Sequence, residues 1–313
     1  MRLKRPFPEW FMPRLMLWVL VLLLPFMSRA QTQADLTPEE AAEAAAIIER
    51  LNATPIFHNF ESPLIAEVFA HGQAVGNRAN VFTKVGDSNT TSGDFLRPIG
   101  LRGGRFCRLG EYTDLQTTID YFSVPPREGY RNSFDSISQA AINGLTSAAA
   151  LDPFWAEQPP CESGENPLAC EYRISRPGVA VIMLGLMDFE VMDADFYRDN
   201  MARVIETTLD AGVIPVLTNN VAMPEVETYL NSLRFNAVLL DLADDYQVPL
   251  LNLWAAVQPL PNVGIGPDRT HLSHAVGEFC AFDGAQTRYG GTLRNLLTLQ
   301  ALDTLRRTVL DVD

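Results

Sequence analysis

The sequence predicts an α/β fold, a three-layer α/β/α sandwich in which a central parallel sheet lies between two layers of helices. Residues 179–184 form an unbroken apolar run, which is typical of a strand buried on both faces. Shorter apolar runs follow it, and segments of helical length alternate with them. Parallel strands need long crossover connections, usually helices, so this alternation favours the layered fold.

The other elements are predicted in chain order. Thr37 as a cap, Pro38 in the first turn and Glu40 three residues after the cap predict a helix that runs to about Leu51. Strands are predicted at 81–85, 179–184, 213–217 and 248–253. Further helices are predicted at 62–73, 114–122, 195–211, 224–246 and 289–309.

These elements suggest how the 313-residue chain is organised. Residues 1–30 are interpreted as an export signal, and residues 31–55 as a linker with the first helix. Residues 56–313 are interpreted as the α/β domain, with irregular insertions near 99–130 and 152–176.

The N-terminus has the pattern of a signal peptide. Bases precede an apolar run of ten residues, 15–24, and Ser28 and Ala30 supply the small residues of a cleavage site. The run is shorter than the roughly 20 residues of a spanning helix, so we expect no stable membrane span after cleavage. An uncleaved N-terminal anchor is the alternative. Either interpretation places the body outside the cytoplasm, as a secreted or membrane-tethered protein.

The charge balance excludes one class of partner. The chain has 38 acidic and 24 basic side chains, and without residues 1–30 the net charge is −18. A phosphate backbone needs a basic face, so a body this acidic is not expected to bind nucleic acid.

The four cysteines fit an oxidising compartment. Cys161 and Cys170 flank a polar loop that favours a local disulfide, and Cys107 and Cys280 are then candidates for a second. Four cysteines allow three pairings, so the connectivity stays open. A zinc site is the competing interpretation, but the chain has no C-x-x-C motif, and disulfides are favoured.

Reactive residues follow the predicted strands, where sites lie in parallel sheets. Ser88 lies in a Gly-Asp-Ser-Asn turn directly after the first predicted strand, and Asp268 and His271 form a D-x-x-H pattern before the last helix. A serine in such a turn is often only a helix cap, and a lone D-x-x-H is often a surface turn. Together they fit a nucleophile, its base and the carboxylate that orients the base. His274 has no matching upstream acid.

These motifs resemble the SGNH (GDSL-type) hydrolase family over most of residues 80–274. Gly86-Asp87-Ser88 is similar to the first block of the family, residues 141–147 to the second, 184–188 to the third, and the D-x-x-H to the fifth. The resemblance implies a flavodoxin-like α/β/α fold and an esterase-like, secreted bacterial member. It also implies that Ser88 is the nucleophile and that the N–H groups of Ser88 and Gly144 form the oxyanion hole.

One position departs from the family pattern. The third block normally places an asparagine where this chain has Met187, and a thioether cannot donate a hydrogen bond. Losing one oxyanion donor costs about 3–4 kcal/mol, or roughly 10²–10³ in rate. Two backbone donors could suffice, the site could be inactive, or a nearby amide could substitute. The candidate amides are Asn89, Asn143, Asn219 and Asn220. We expect an active enzyme, in which Met187→Asn raises kcat.

The resemblance implies a hydrolase that cleaves a carboxylic ester through an acyl-enzyme and requires no metal or organic cofactor. The substrate would be a small-molecule, carbohydrate or lipid ester. Two alternatives stay open: a secreted ligand-binding domain with weakened catalysis, and an acyltransferase with the same triad.

Acidic residues cluster after the strand at 179–184. Asp188, Glu190, Asp193 and Asp195 match the spacing of no calcium loop. The cluster is interpreted as a solvated loop with an aspartate that caps the next helix.

Overall fold

A five-stranded sheet forms the centre of the molecule. The computed structural model describes residues 36–311, so the predicted export segment, residues 1–30, lies outside the described residues. The strands are β1 (Phe57–His58), β2 (Arg78–Gly86), β3 (Pro177–Met183), β4 (Ile214–Thr218) and β5 (Leu250–Leu251).

Helices connect the strands. The α-helices in residues 36–311 are α1 (Pro38–Ala53), α2 (Leu64–Ala74), α3 (Ser88–Thr91), α4 (Arg97–Gly100), α5 (Leu115–Tyr121), α6 (Pro167–Ser175), α7 (Asp188–Val191), α8 (Ala194–Asp210), α9 (Tyr229–Asp245), α10 (Leu253–Val257) and α11 (Gly290–Leu305). A π-helical turn, Arg306–Leu310, follows α11.

The strand order is β1-β5-β4-β3-β2. Strands β2 to β5 are mutually parallel, as predicted. The edge strand β1 pairs antiparallel with β5, through Phe57 opposite Leu251, so the sheet is mixed rather than purely parallel. Two residues are too short to give a periodic pattern, which is why the sequence did not predict β1.

One helix layer covers the first face of the sheet. Val179 and Val181 of β3 point to this face and belong to an apolar cluster with residues of α2, α5 and α11. Those helices contribute, among others, Val68, Ile119 and Leu302. Side chains two residues apart along a strand lie on the same face of the sheet, so every second residue of β3 packs against this helix layer.

The alternate residues of β3 face the other helix layer. Ala180 and Ile182 pack in a second apolar cluster with residues of α1, α8 and α9, including Ile47, Val204 and Leu239. All seven residues of β3 are buried, as its continuous apolar run predicts. The two clusters confirm the predicted three-layer α/β/α sandwich.

The predicted helix start at Thr37 is confirmed. Its hydroxyl accepts from the N–H of Glu40, and the Glu40 carboxylate accepts from the N–H of Thr37 at 2.9 Å, which completes a capping box. Within the insertion at 152–176, which was expected to be irregular, Asn166 caps α6 by accepting from the N–H of Ala169. Pro167 occupies the first turn of that helix, where its missing N–H costs nothing.

Two predicted elements are shorter than expected. Strand β5 spans two residues rather than the predicted 248–253. Helix α9 begins at Tyr229 rather than at 224, because the preceding residues form turns in which Val226 N–H bonds Met223 O. Turns of this kind satisfy the backbone without propagating a helix.

Both candidate disulfides are present. Cys161–Cys170 closes a loop within the insertion at 152–176, and Cys107–Cys280 ties the insertion at 99–130 to the segment before α11. Within residues 36–311, no helix combines the length and the apolar character needed to cross a bilayer.

Candidate active site

The turn that carries Ser88 is built on Gly86. A Cβ at residue 86 would lie 2.3 Å from the carbonyl oxygen of Met183, so only glycine allows β2 to end this close to β3. Asp87 then caps α3, because its Oδ1 accepts from the N–H of Asn89 at 2.9 Å. The helix cap is therefore Asp87, and the hydroxyl of Ser88 is left for another partner.

That partner is His271. Its Nε2 lies 2.8 Å from Ser88 Oγ, and its Nδ1 lies 2.7 Å from Oδ2 of Asp268. A proton on Nδ1 is donated to the carboxylate, which leaves Nε2 free to accept from the serine hydroxyl. The three groups thus form a continuous relay from carboxylate to hydroxyl.

The loop that carries the histidine is locally fixed. Oδ1 of Asp268 accepts from the N–H groups of Thr270 at 3.1 Å and His271 at 3.0 Å, and Arg269, between Asp268 and Thr270, has a positive φ of 64°. The N–H of Gly266 donates to the carbonyl of His271 at 2.8 Å, which closes the loop. The aspartate is therefore held by the backbone while its second oxygen holds the imidazole.

Partial burial and hydrogen bonding shift the pKa of Asp268 in opposite directions. Burial raises the pKa of this carboxyl, but the hydrogen bonds from the His271 ring and from two backbone N–H groups outweigh it, and the pKa lies below its ordinary value. Asp268 is therefore an anion at neutral pH, and it can stabilise a positive charge on His271.

A cleft of about 390 Å³ opens above the relay. Its walls include Ser88, Asn143, Asp268, His271, Phe95 and Phe279. Gly144 follows Asn143 with a φ of +77°, a backbone conformation that favours glycine. Within the described residues, no protein atom accepts a hydrogen bond from the backbone N–H of Ser88 or of Gly144.

Met187 is the N-cap residue that directly precedes α7, and it is half-buried. It is not one of the described residues that line the cleft. Asp188, directly after it, is buried and accepts from the N–H of Ser147 at 2.7 Å and from the hydroxyl of the same residue. Burial raises the pKa of Asp188, although the bonds from Ser147 oppose this.

The interpretation of a solvated acidic loop is therefore wrong for Asp188, because this carboxylate ties α7 to the loop that follows Gly144. The predicted helix-capping aspartate is Asp193, whose Oδ1 accepts from the N–H of Phe196 at 2.8 Å.

A buried arginine supports the turn at residues 86–90, which carries the candidate nucleophile Ser88 (the nucleophile turn), and no local sequence pattern predicts this arginine. Arg294 of α11 is 1% exposed, and it donates to the carbonyl of Asn89 at 2.7 Å and to Oγ1 of Thr90 at 3.1 Å. Its guanidinium lies 3.6 Å from the ring centroid of Phe95. Burial lowers the pKa of Arg294 to about 9, and the charge of Asp87 opposes that shift.

Asp87 is the buried acid that faces this arginine. Burial raises the pKa of Asp87 to about 6, while the Asn89 N–H and the charge of Arg294 pull it down. Its Oδ2 is buried and has no hydrogen-bond partner among the described residues. The charges of Asp87 and Arg294 therefore stabilise each other beneath the nucleophile turn, although no hydrogen bond joins the two side chains.

The second histidine of the cleft also has an acid nearby. Nε2 of His274 lies 3.4 Å from Oδ2 of Asp94, a residue that comes from a distant segment rather than from the upstream turn. The remaining histidines lie elsewhere: His58 pairs with Asp244 at 2.6 Å, and His71 contacts the carbonyl of Asp210 at 3.1 Å. All four histidines lie within residues 36–311, and among them only His271 contacts the hydroxyl of Ser88.

One cluster of potential metal ligands occurs among the described residues: Cys161, Glu165 and Cys170. Its two sulfur atoms are bonded to each other, so neither is available as a thiolate ligand. This agrees with the disulfide interpretation of the cysteines.

The described fold places a serine turn after β2, a glycine loop at residues 141–147 and a D-x-x-H loop before the last helix, in the order expected from the sequence. No family model and no curated protein matches the chain. Among solved structures, a GDSL-like lipase from Bacteroides thetaiotaomicron VPI-5482 is 15% identical with a TM-score of 0.43, over 75% of this chain and 94% of that one.

Two further structures are similar at the same level. The esterase EstA from Pseudoalteromonas sp. is 14% identical with a TM-score of 0.42, over 73% of this chain and 100% of that one. TesA is 20% identical with a TM-score of 0.43, over 72% of this chain and 98% of that one. At these identities and scores the matches carry no activity over to this chain.

Proposed function

We propose that this protein is a serine hydrolase that cleaves a carboxylic ester with Ser88, His271 and Asp268. The observation that carries the proposal is the relay of two short contacts, 2.8 Å from Ser88 Oγ to His271 Nε2 and 2.7 Å from His271 Nδ1 to Asp268 Oδ2. A hydroxyl is a weak nucleophile until an adjacent base accepts its proton, and a base oriented by a third group is the arrangement that achieves this.

In acylation, His271 first accepts a proton and then returns it. His271 Nε2 accepts the Ser88 proton as Oγ bonds to the ester carbonyl carbon, and the N–H groups of Ser88 and Gly144 donate to the oxyanion. The intermediate collapses when the bond to the leaving oxygen breaks, and His271 returns the proton so that an alcohol departs. Asp268 stabilises the imidazolium throughout.

Deacylation repeats these steps with water as the nucleophile. His271 takes a proton from water, the resulting hydroxyl attacks the acyl carbon, and the bond to Ser88 Oγ breaks as that oxygen regains its proton. The side chains of His271 and Asp268 are 43% and 54% exposed, so bulk water reaches the base directly. This openness favours hydrolysis over transfer to another acceptor, because transfer requires exclusion of water.

We further propose that residues 1–30 direct export and that residues 56–313 form the hydrolase domain. The two disulfides support an oxidising compartment, where such bonds persist.

A fluorophosphonate probe tests the proposal. Phosphorus is attacked by an activated serine and fluoride leaves, so wild-type protein should gain one adduct, mapped by mass spectrometry to Ser88. His271→Ala should slow labelling strongly, and Ser88→Ala should prevent it. A folded wild-type protein that is not labelled at Ser88 would contradict the proposal and favour a ligand-binding domain.

A further inference from the structure

The oxyanion hole of the proposed enzyme lacks a side-chain donor at Met187. A thioether has no proton to donate, and in this chain the residue is half-buried at the start of α7. Each preorganised donor stabilises the charge that develops on the carbonyl oxygen, so the position of any substitute amide decides how well the site works.

Two of the four candidate amides are committed to the scaffold. The amide nitrogen of Asn219 donates to Oδ1 of Asn252 at 2.8 Å, and its Oδ1 accepts from the N–H of Trp254 at 2.8 Å. The amide nitrogen of Asn220 donates to the carbonyl of Leu184 at 2.8 Å. Both residues are buried, and neither lines the cleft.

A third candidate, Asn89, contacts the loop that carries His271. Its Oδ1 accepts from the N–H of Leu272, the residue after His271, at 3.2 Å. Asn89 also lines the cleft, but in the proposed mechanism the oxyanion forms beside the N–H of Gly144, and Asn143 rather than Asn89 is adjacent to that glycine. Asn89 is therefore placed to hold the histidine loop against the nucleophile turn.

Asn143 meets the geometric requirements. It is exposed, lines the same cleft as Ser88, and directly precedes Gly144. The hydroxyl of Thr91, in the helix that Ser88 begins, donates to its Oδ1. With the oxygen held in this way, the NH₂ group is left without a protein acceptor among the described residues and is available to the cleft.

We infer that the side-chain amide of Asn143 is the third oxyanion donor, which takes the place of the amide missing at Met187, and that Thr91 is the positioning residue that orients it. The inference rests on the proposed ester hydrolysis. In the tetrahedral intermediate, the oxygen then accepts from the N–H groups of Ser88 and Gly144 and from Nδ2 of Asn143.

Asn143→Ala tests the inference with a chromogenic short-chain ester. A donor used only in the transition state lowers kcat, so we expect a loss of about 10²–10³ with KM within about 3-fold of wild type. Asn143→Asp should lose at least as much, because a carboxylate has no N–H and repels the oxyanion. Thr91→Val should give a smaller loss of kcat. Asn52→Ala, an exposed asparagine of α1, is the matched control and should match wild type.

A second readout separates this role from a structural one. A trifluoromethyl ketone forms a tetrahedral adduct with an activated serine, so its Ki should rise in Asn143→Ala about as much as kcat falls. The thermal midpoint should be unchanged, since the side chain is exposed. Wild-type kcat and Ki in Asn143→Ala would overturn the inference.

The failure of the inference is distinguishable from the failure of the proposed function. If Ser88→Ala abolishes hydrolysis while Asn143→Ala is fully active, the triad stands and only the third donor is refuted. If Ser88→Ala retains hydrolysis, the proposed function is refuted and this inference fails with it.

Discussion

Nε2 of His271 lies 2.8 Å from Oγ of Ser88, although 183 positions separate the two residues in the chain. The serine is held at the carboxyl end of β2, and the histidine is held by a loop that its own aspartate fixes. Because the two supports belong to different parts of the fold, their meeting depends on the sheet being assembled as described.

Asp268→Asn should lower kcat while leaving KM nearly unchanged. The amide cannot stabilise an imidazolium or fix the same tautomer. We expect a loss of about 10²-fold, below the ~10⁴ typical of a buried triad aspartate, because water already screens this exposed carboxylate. Steady-state kinetics measures the change.

Asp244→Asn provides the matched control for that substitution. This aspartate also holds a histidine, His58, at 2.6 Å, but the pair does not line the cleft. Its activity should equal that of wild type. Equal losses in the two variants would indicate a general electrostatic effect and contradict the assigned role of Asp268.

Met187→Asn should leave kcat within about 3-fold of wild type if Asn143 already fills the hole. This expectation differs from the one drawn from the sequence alone, in which the hole lacked a donor and the substitution raised kcat. A tenfold or greater rise, on the order of 1.4 kcal/mol, would show that the third position is vacant in the native enzyme.

Arg294→Met should destabilise the fold by about 2–4 kcal/mol, because two buried hydrogen bonds from a charged donor are lost and their acceptors are left without a partner. The change removes the donors to Asn89 and Thr90 and leaves Asp87 without a nearby positive charge. Urea unfolding measures the difference. Arg288→Met is the control, since this arginine is 59% exposed, and its effect should stay within about 0.5 kcal/mol.

Asp87→Asn should change how stability depends on pH. The pKa of Asp87 is raised from 3.8 to about 6, so between these values the folded state binds more protons than the unfolded state. Stability of the wild type therefore falls as pH rises through this window, by on the order of 3 kcal/mol. Asparagine caps the helix equally well but carries no charge, so it avoids this loss.

The measurement is the difference in unfolding free energy between Asp87→Asn and wild type at about pH 3.5 and about pH 7. As pH rises, the variant should become more stable relative to wild type, because it lacks the carboxyl group of Asp87. The other carboxylates titrate in both proteins, so their effects cancel in the difference. A difference that is the same at both pH values would contradict a raised pKa at this position.

Local patterns in the sequence predicted most of the layered fold. Strand β3 is buried on both faces, so its apolar run is continuous and easily recognised. The start of helix α1 could be predicted from Thr37 and Glu40, which are three residues apart and form the hydrogen bonds of a capping box. Ser88 and His271 could be predicted as site residues because they follow predicted strands, and the carboxyl ends of parallel strands meet at one edge of the sheet.

Features that depend on tertiary packing could not be predicted. Arg294 lies in a helix that the sequence predicted, but nothing local distinguishes it from an exposed arginine; its burial depends on Phe95 and on the nucleophile turn. Likewise, Asp94 reaches His274 only because the fold brings two distant segments together. Asn143 differs from Asn219 and Asn220 because its amide nitrogen has no protein acceptor among the described residues, a difference that arises only in the assembled fold.

Turnover of a chromogenic short-chain ester by wild type and by Ser88→Ala tests the central claim most directly. The account predicts measurable hydrolysis by wild type and a loss of about 10⁶-fold in kcat for the variant, at an unchanged thermal midpoint. Hydrolysis by Ser88→Ala at the wild-type rate would contradict it.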